Sequence, residues 1–139
     1  MTGGRPQIVS RDFEGTLEAA EEAEAWLVSQ SGALGLAPKA EFAINLCVEE
    51  LFLNAIRHGR ANRAKISIRS ESDGVRLEFV DDGAPFDSAA APARRIRDHS
   101  EDFQIGGYGT GLLRKFSRRM SYTRGSGENR LVLEFDSAG

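Results

Sequence analysis

Between Pro38 and Gly59 the chain carries a segment that constrains most of the rest. It contains Phe42, Ile44, Leu46, Val48, Leu51, Phe52, Leu53 and Ile56, apolar residues that fall all the way round a helix. A helix of that kind has to be buried, so other elements must cover it. Yet Glu50, Asn54 and His58 recur at every fourth position and so share one stripe of the same helix. On a generic helix such a stripe faces solvent. On this one, polar groups need partners or a cavity.

The chain has 139 residues, enough for one domain with a real core, and nothing in it marks a second domain or an internal repeat. Its apolar share of 40% and charged share of 28% are those of a globular protein. The net charge of -3 argues against direct nucleic-acid binding as the main purpose. Cys47 is the only cysteine, which excludes an intrachain disulfide and suits a cytoplasmic protein. The opening "MTGGRPQ" leads into a strand-like segment without a signal-peptide pattern. No apolar run approaches a membrane span.

The surrounding elements supply the cover. Residues 7–13 read as a strand, and Thr16 caps an acidic, alanine-rich helix running to about Ser31. "SGALGLAP" reads as a loop, with Pro38 in the first turn of the second helix and Gly59 at its exit. "AKISIRS" and "VRLEFVD" alternate apolar and polar residues and are joined as a hairpin by "ESDG". Residues 84–106 have no period and contain Arg94, Arg95 and Arg97, and a loop of that length is usually functional or mobile. "TGLLRKFSRRM" reads as a third helix, and "SYTRGSGENRLVLEF" as a closing hairpin. The expected class is α+β: a mixed, mostly antiparallel sheet with helices on one face.

Three clusters carry chemistry. In the Glu50/Asn54/His58 stripe, a carboxylate beside an amide oxygen suits a hard divalent cation such as magnesium. In "FVDDGAPFD", alternation turns Asp81 towards the core and Asp82 away. A buried acid needs a donor: either the protein supplies one, or Asp81 accepts from a ligand amine such as that of adenine. Gly83 would let the backbone pass close to the ring. In "GGYGTGLL", four glycines directly precede a helix, a site for an anion or else a tight turn. The spacing is neither G-x-G-x-x-G nor GxxxxGK[ST]. Taken in order, the three make up an ATP site.

In that order they resemble the N box ("EELFLNAIRHG"), first glycine box ("DDGAPFD") and second glycine box ("GYGTGL") of the ATPase superfamily that includes gyrase, a heat-shock chaperone, histidine kinases and MutL. The E-x-x-x-N-x-x-x-H form and the "PFD" look most like the bacterial anti-sigma factor serine-protein kinases. The resemblance implies the Bergerat fold with an ATP lid at about 87–105. It implies that Glu50 acts as general base, that Asn54 ligates Mg2+, and that Asp81 and Gly83 hold the adenine of ATP or ADP. It also implies that Gly107, Gly109, Thr110 and Gly111 line the phosphates, with His58 as a phosphate contact or structural cap. The implied partners are a sigma factor or similar client, a STAS-type anti-anti-sigma factor, and a second copy in a homodimer. A nucleotide-dependent binding module without kinase activity is the alternative.

Overall fold

The computed structural model describes residues 8–88 and 109–136. In chain order the elements are β1 (Ile8–Glu14), α1 (Leu17–Leu34), α2 (Pro38–Arg57), β2 (Arg63–Glu71), β3 (Gly74–Asp81), α3 (Gly109–Phe116), β4 (Arg119–Gly125) and β5 (Glu128–Phe135). The strands form one sheet in the order β1-β2-β3-β5-β4. Every pairing among them is antiparallel, so the parallel contribution expected of a mixed sheet is absent among the described strands.

Alternation along the strands decides which face is covered. Ile66 and Ile68 of β2, Leu77 and Phe79 of β3, and Leu131 and Leu133 of β5 point to one face and are buried. All three helices contribute to the core on that face, through Ala23 and Leu27 of α1, Val48 and Phe52 of α2, and Leu113 of α3. Phe52 is the hub. Its ring lies edge-on to Phe13 at 5.9 Å and to Phe79 at 5.2 Å, tying the sheet to the central helix. Alanines at 19, 20 and 23 are all buried, and small residues there let α1 approach closely.

Two helix ends differ from the sequence reading. Helix α1 continues past Ser31 to Leu34, which is buried, and stops at Gly35 in the left-handed region (φ 71°). The Gly35 and Leu36 amides donate to Gly32 and Ser31 carbonyls, which satisfies the end. The Ser31 hydroxyl also donates to Glu41, fastening α1 to α2. Helix α3 stops at Phe116 instead of running on to Met120. Arg119 and Met120 pair with Glu134 and Leu133 of β5. Between helix and strand, the Arg118 guanidinium donates to Asp136 (2.7 Å) and to the Asp73 carbonyl (3.3 Å), so strand pairing prevails over local helix preference.

One large apolar side chain of α2 is left mostly in solvent: Phe42, expected in the core, is 60% exposed. No helix among the described residues is long and apolar enough to cross a membrane.

Candidate functional site

The C-terminal half of α2 runs along the sheet, and its polar stripe meets the end of β3. Glu50 and Asn54 are each 5% exposed. They are one turn apart, hence about 6 Å along the helix axis. His58 departs from them: it is exposed, and it serves as the C-cap, its amide donating to the Asn54 carbonyl at 2.9 Å. Its imidazole stacks on Phe86, with centroids 4.4 Å apart and planes within 9°.

Asp81 ends β3 on the inward face and is buried, whereas Asp82 is exposed and accepts from the Asn62 and Arg63 amides. The Asp81 Oδ1 accepts from the Gly83 amide at 2.8 Å and from Asn129 Nδ2 at 3.0 Å. Both bonds use one oxygen, which leaves Oδ2 as the acceptor a ligand amine could use. Gly83 has no room for a side chain: a Cβ there would lie 2.8 Å from the Gly59 carbonyl oxygen and 3.0 Å from the Asp81 carboxylate. The loop after β3 thus passes directly over the end of α2, with Ala84 N donating to Gly59 O.

Sequence reasoning missed the residue that organises this corner. Asn129 of β5 stands opposite Asp81 in the sheet register. Its amide nitrogen donates to Asp81 and to the Ala84 carbonyl, and its oxygen accepts from Tyr122 OH and the Phe86 amide. Two donors and two acceptors complete its hydrogen-bonding capacity. Ser88 was missed as well; its hydroxyl accepts from Asn54 Nδ2 at 3.1 Å. Of the residues expected in a lid, Asp87 and Ser88 lie within the described part, and Arg94, Arg95 and Arg97 lie outside it.

These side chains enclose a recess lined by Asn54, Ala55, Gly59, Phe79, Asp81, Phe86, Ser88, Tyr122 and Asn129, among others. Water-sized space within it is about 20 Å³, room for about one water. A purine therefore enters only if a wall moves. Of its lining residues, Phe86 and Ser88 belong to no helix or strand.

Electrostatics separates the two buried acids. Burial first, and then the neighbouring Glu49 carboxylate, push the Glu50 carboxyl up to about 7, against the opposing pull of Arg57. Its Oε2 is buried and has no hydrogen-bond partner among the described residues. Burial also raises Asp81, but its bonds from Asn129 and Gly83 work in the opposite direction. Burial, with Glu50 adding to it, pushes the Cys47 thiol up to about 12, so it offers no thiolate near neutrality.

Gly109, Thr110 and Gly111 form the first turn of α3, and Gly107 lies outside the described residues. Among the described residues, a Cβ on Gly111 would meet nothing within 4 Å.

The sequence pattern of the histidine kinase-like ATPase domain matches residues 13–135, nearly the whole chain. The chain belongs to that family. Among characterised proteins, the ATPase domain is 31% identical over 104 residues to the serine/threonine-protein kinase BtrW of Bordetella bronchiseptica (strain RB50). The match covers 72% of this chain and 73% of that protein. Membership implies nucleotide binding, and the antiparallel sheet with its helices agrees with the family's fold.

Proposed function

We propose that this ATPase domain is a Mg-ATP-dependent protein serine/threonine kinase of the anti-sigma type. It phosphorylates a STAS-type antagonist and holds a sigma factor or similar client. The observation that carries the reading is Glu50: a buried carboxyl poised at about 7, one turn from Asn54, with an oxygen that has no partner among the described residues. A group so tuned suits a general base at physiological pH. The kinase name of the relative from Bordetella supports the same class.

In this reading the recess takes the adenine, its amino group donating to Asp81 Oδ2. Asn54 sits between the recess and Glu50. Its Nδ2 is committed to Ser88, and its Oδ1 makes no hydrogen bond among the described residues, which suits a cation. No group of three or more His, Cys, Asp or Glu side chains is placed to hold a metal among the described residues. Magnesium is typically bound by one or two protein oxygens together with substrate phosphates, so the donor set fits. When bound, magnesium neutralises phosphate charge. The first turn of α3 directs its amides at the phosphates. The acceptor hydroxyl loses its proton to Glu50, its oxygen bonds to the γ-phosphorus, and the bond from that phosphorus to the β,γ-bridging oxygen breaks, releasing ADP.

The reading extends to a homodimer in the cytoplasm, for which the single buried Cys47 is suited. The test is phosphate transfer from labelled Mg-ATP to each purified STAS-domain protein encoded in the source genome. Phosphorylation of a serine or threonine in at least one of them is expected. Tight ATP binding with transfer to none would leave a nucleotide-dependent binding module.

A further inference from the structure

The closing hairpin brings to the Asp81 corner two side chains whose work is not yet accounted for. Ser126 and Gly127 connect β4 to β5 and are both left-handed (φ 55° and 76°), as a two-residue hairpin turn requires. That turn sets the register: Arg124 stands opposite Asn129, and Tyr122 opposite Leu131. Alternation then turns both towards the face that carries Asp81 and Asn129, with Thr123 between them on the other face. A slip of one residue would send both away from the site.

Each acts on Asp81 through one intermediary. The Tyr122 hydroxyl donates to Asn129 Oδ1 at 2.6 Å, and Asn129 Nδ2 donates to Asp81 Oδ1 at 3.0 Å. The amide is held this way round, because reversed its oxygen would face two acceptors, the Asp81 carboxylate and the Ala84 carbonyl. A proton donated to the amide oxygen polarises the group and strengthens its N–H as a donor to the carboxylate. On the second route, Arg124 Nη1 donates to the Gly83 carbonyl at 2.7 Å, and the Gly83 amide donates to the same Asp81 Oδ1 at 2.8 Å. With Ala84 N on the Gly59 carbonyl and Ala84 O on Asn129, every backbone polar group of residues 83 and 84 is engaged. Burial raises the Asp81 carboxyl, while the bonds from Asn129 and Gly83 and the charge of Arg124 oppose it. Both routes end on Oδ1, so they fix the carboxylate and leave Oδ2 for a base in one orientation.

We propose that Tyr122 and Arg124 of the edge strand β4 are positioning residues for adenine recognition, acting on Asp81 through Asn129 and through Gly83. This rests on the reading of the recess as the adenine site. The Tyr122 ring itself lines the recess, but the bond to Asn129 belongs to its hydroxyl, and the hydroxyl can be removed without the ring.

The test compares ATP with purine riboside triphosphate, which lacks only the exocyclic amino group of adenine, by calorimetric titration of the full chain with magnesium. Wild type is expected to bind ATP about tenfold or more tightly, as a hydrogen bond to a charged acceptor warrants. Tyr122→Phe and Arg124→Met are each expected to cut that preference about two- to tenfold, the effect of one ordinary hydrogen bond. Both should do so by weakening ATP while leaving the riboside triphosphate where it was, and the double variant should lose more of the preference than either. Thr123→Ala should change neither nucleotide. Arg124 is exposed and phenylalanine keeps the tyrosine ring, so the variants should fold, and circular dichroism verifies that. Equal weakening of both nucleotides in the variants would show that β4 shapes the pocket as a whole, which overturns the proposal. A full wild-type preference in the double variant overturns it too and leaves the adenine reading standing. No preference in wild type removes that reading and these roles with it.

Discussion

Exchanging Glu50 for glutamine separates what the site does for stability from what it does for chemistry. The carboxyl is held at about 7 against an ordinary value of 4.5. A folded value above the unfolded one means that the native state binds the proton more tightly. Stability is therefore greatest below about 4.5, falls as pH rises through the interval to about 7, and is level beyond it. Between pH 5 and pH 8 the linkage integral for these two values is about 2–3 kcal/mol. Glutamine does not titrate, so whatever constant penalty its amide incurs in the pocket, the difference from wild type must change by that amount. Glu24 is also pushed up to about 7, by burial and then by Glu49 and Glu21, but it is present in both proteins and cancels in the difference. The assay is urea unfolding of wild type and Glu50→Gln at pH 5 and pH 8, with the variant gaining relative to wild type at the higher pH. Transfer by wild type is expected to rise with pH up to about 7 and then level off, and the variant to lose about 10²–10⁴-fold while still binding Mg-ATP. A stability difference independent of pH would show that Glu50 is not desolvated, and transfer at the wild-type rate would remove it as the base.

Other consequences are equally direct. Asn54→Ala is expected to weaken Mg-ATP binding by about 10–100-fold, the value of a hydrogen-bonding or ligand contact to a charged group, and to leave magnesium-free ADP binding less affected; calorimetry with and without EDTA checks this. Asp81 accepts from an amino group and would repel the O6 of guanine, so ATP should bind more tightly than GTP by about 10²-fold or more, and equal affinities in a titration would refute the assignment. Gly83→Ala places a methyl 2.8 Å from the Gly59 carbonyl oxygen and is expected to destabilise the fold by about 1–3 kcal/mol and to weaken ATP binding with it, as thermal melts with and without nucleotide would show.

What was legible in the sequence followed from period and residue type. Alternation in β2 and β3 fixed both the strands and the inward direction of Asp81, and four-residue spacing aligned Glu50 with Asn54. Helix ends were less legible. "SGAL" has the composition of a loop, but burial of Leu34 and the left-handed turn at Gly35 extend α1 through it. "SRRM" has the composition of a helix, but Arg118 finds its partners on Asp73 and Asp136, and the chain pairs with β5 instead. Asn129 could not be found locally. In "GSGENR" it looks like a turn residue, and its role arises from a partner 48 positions earlier in the chain. Phe42 failed for the opposite reason: apolar character predicts burial only on average, and nothing in α2 itself says that its neighbours leave this ring mostly in solvent.

Burial raises both acids of the site, but only Asp81 is given donors that oppose it, and that contrast fits their proposed work. Asp81 must present a constant acceptor to an uncharged base, so its charge has to survive burial. Asn129 and the Gly83 amide donate to it for that purpose, and Asn129 is itself fixed by Tyr122, Phe86 and Ala84. Glu50 must instead take up a proton and later release it, which calls for a value near the working pH. The fold leaves its Oε2 buried without a donor among the described residues and places Glu49 beside it. A donor introduced towards Oε2 would stabilise the ionised form and lower its pKa. It would also lower the proton affinity on which a base depends. By this argument the instability that Glu50 imposes above pH 7 is a condition of its chemistry, and a variant that relieves it without removing the carboxyl should transfer phosphate more slowly at neutral pH.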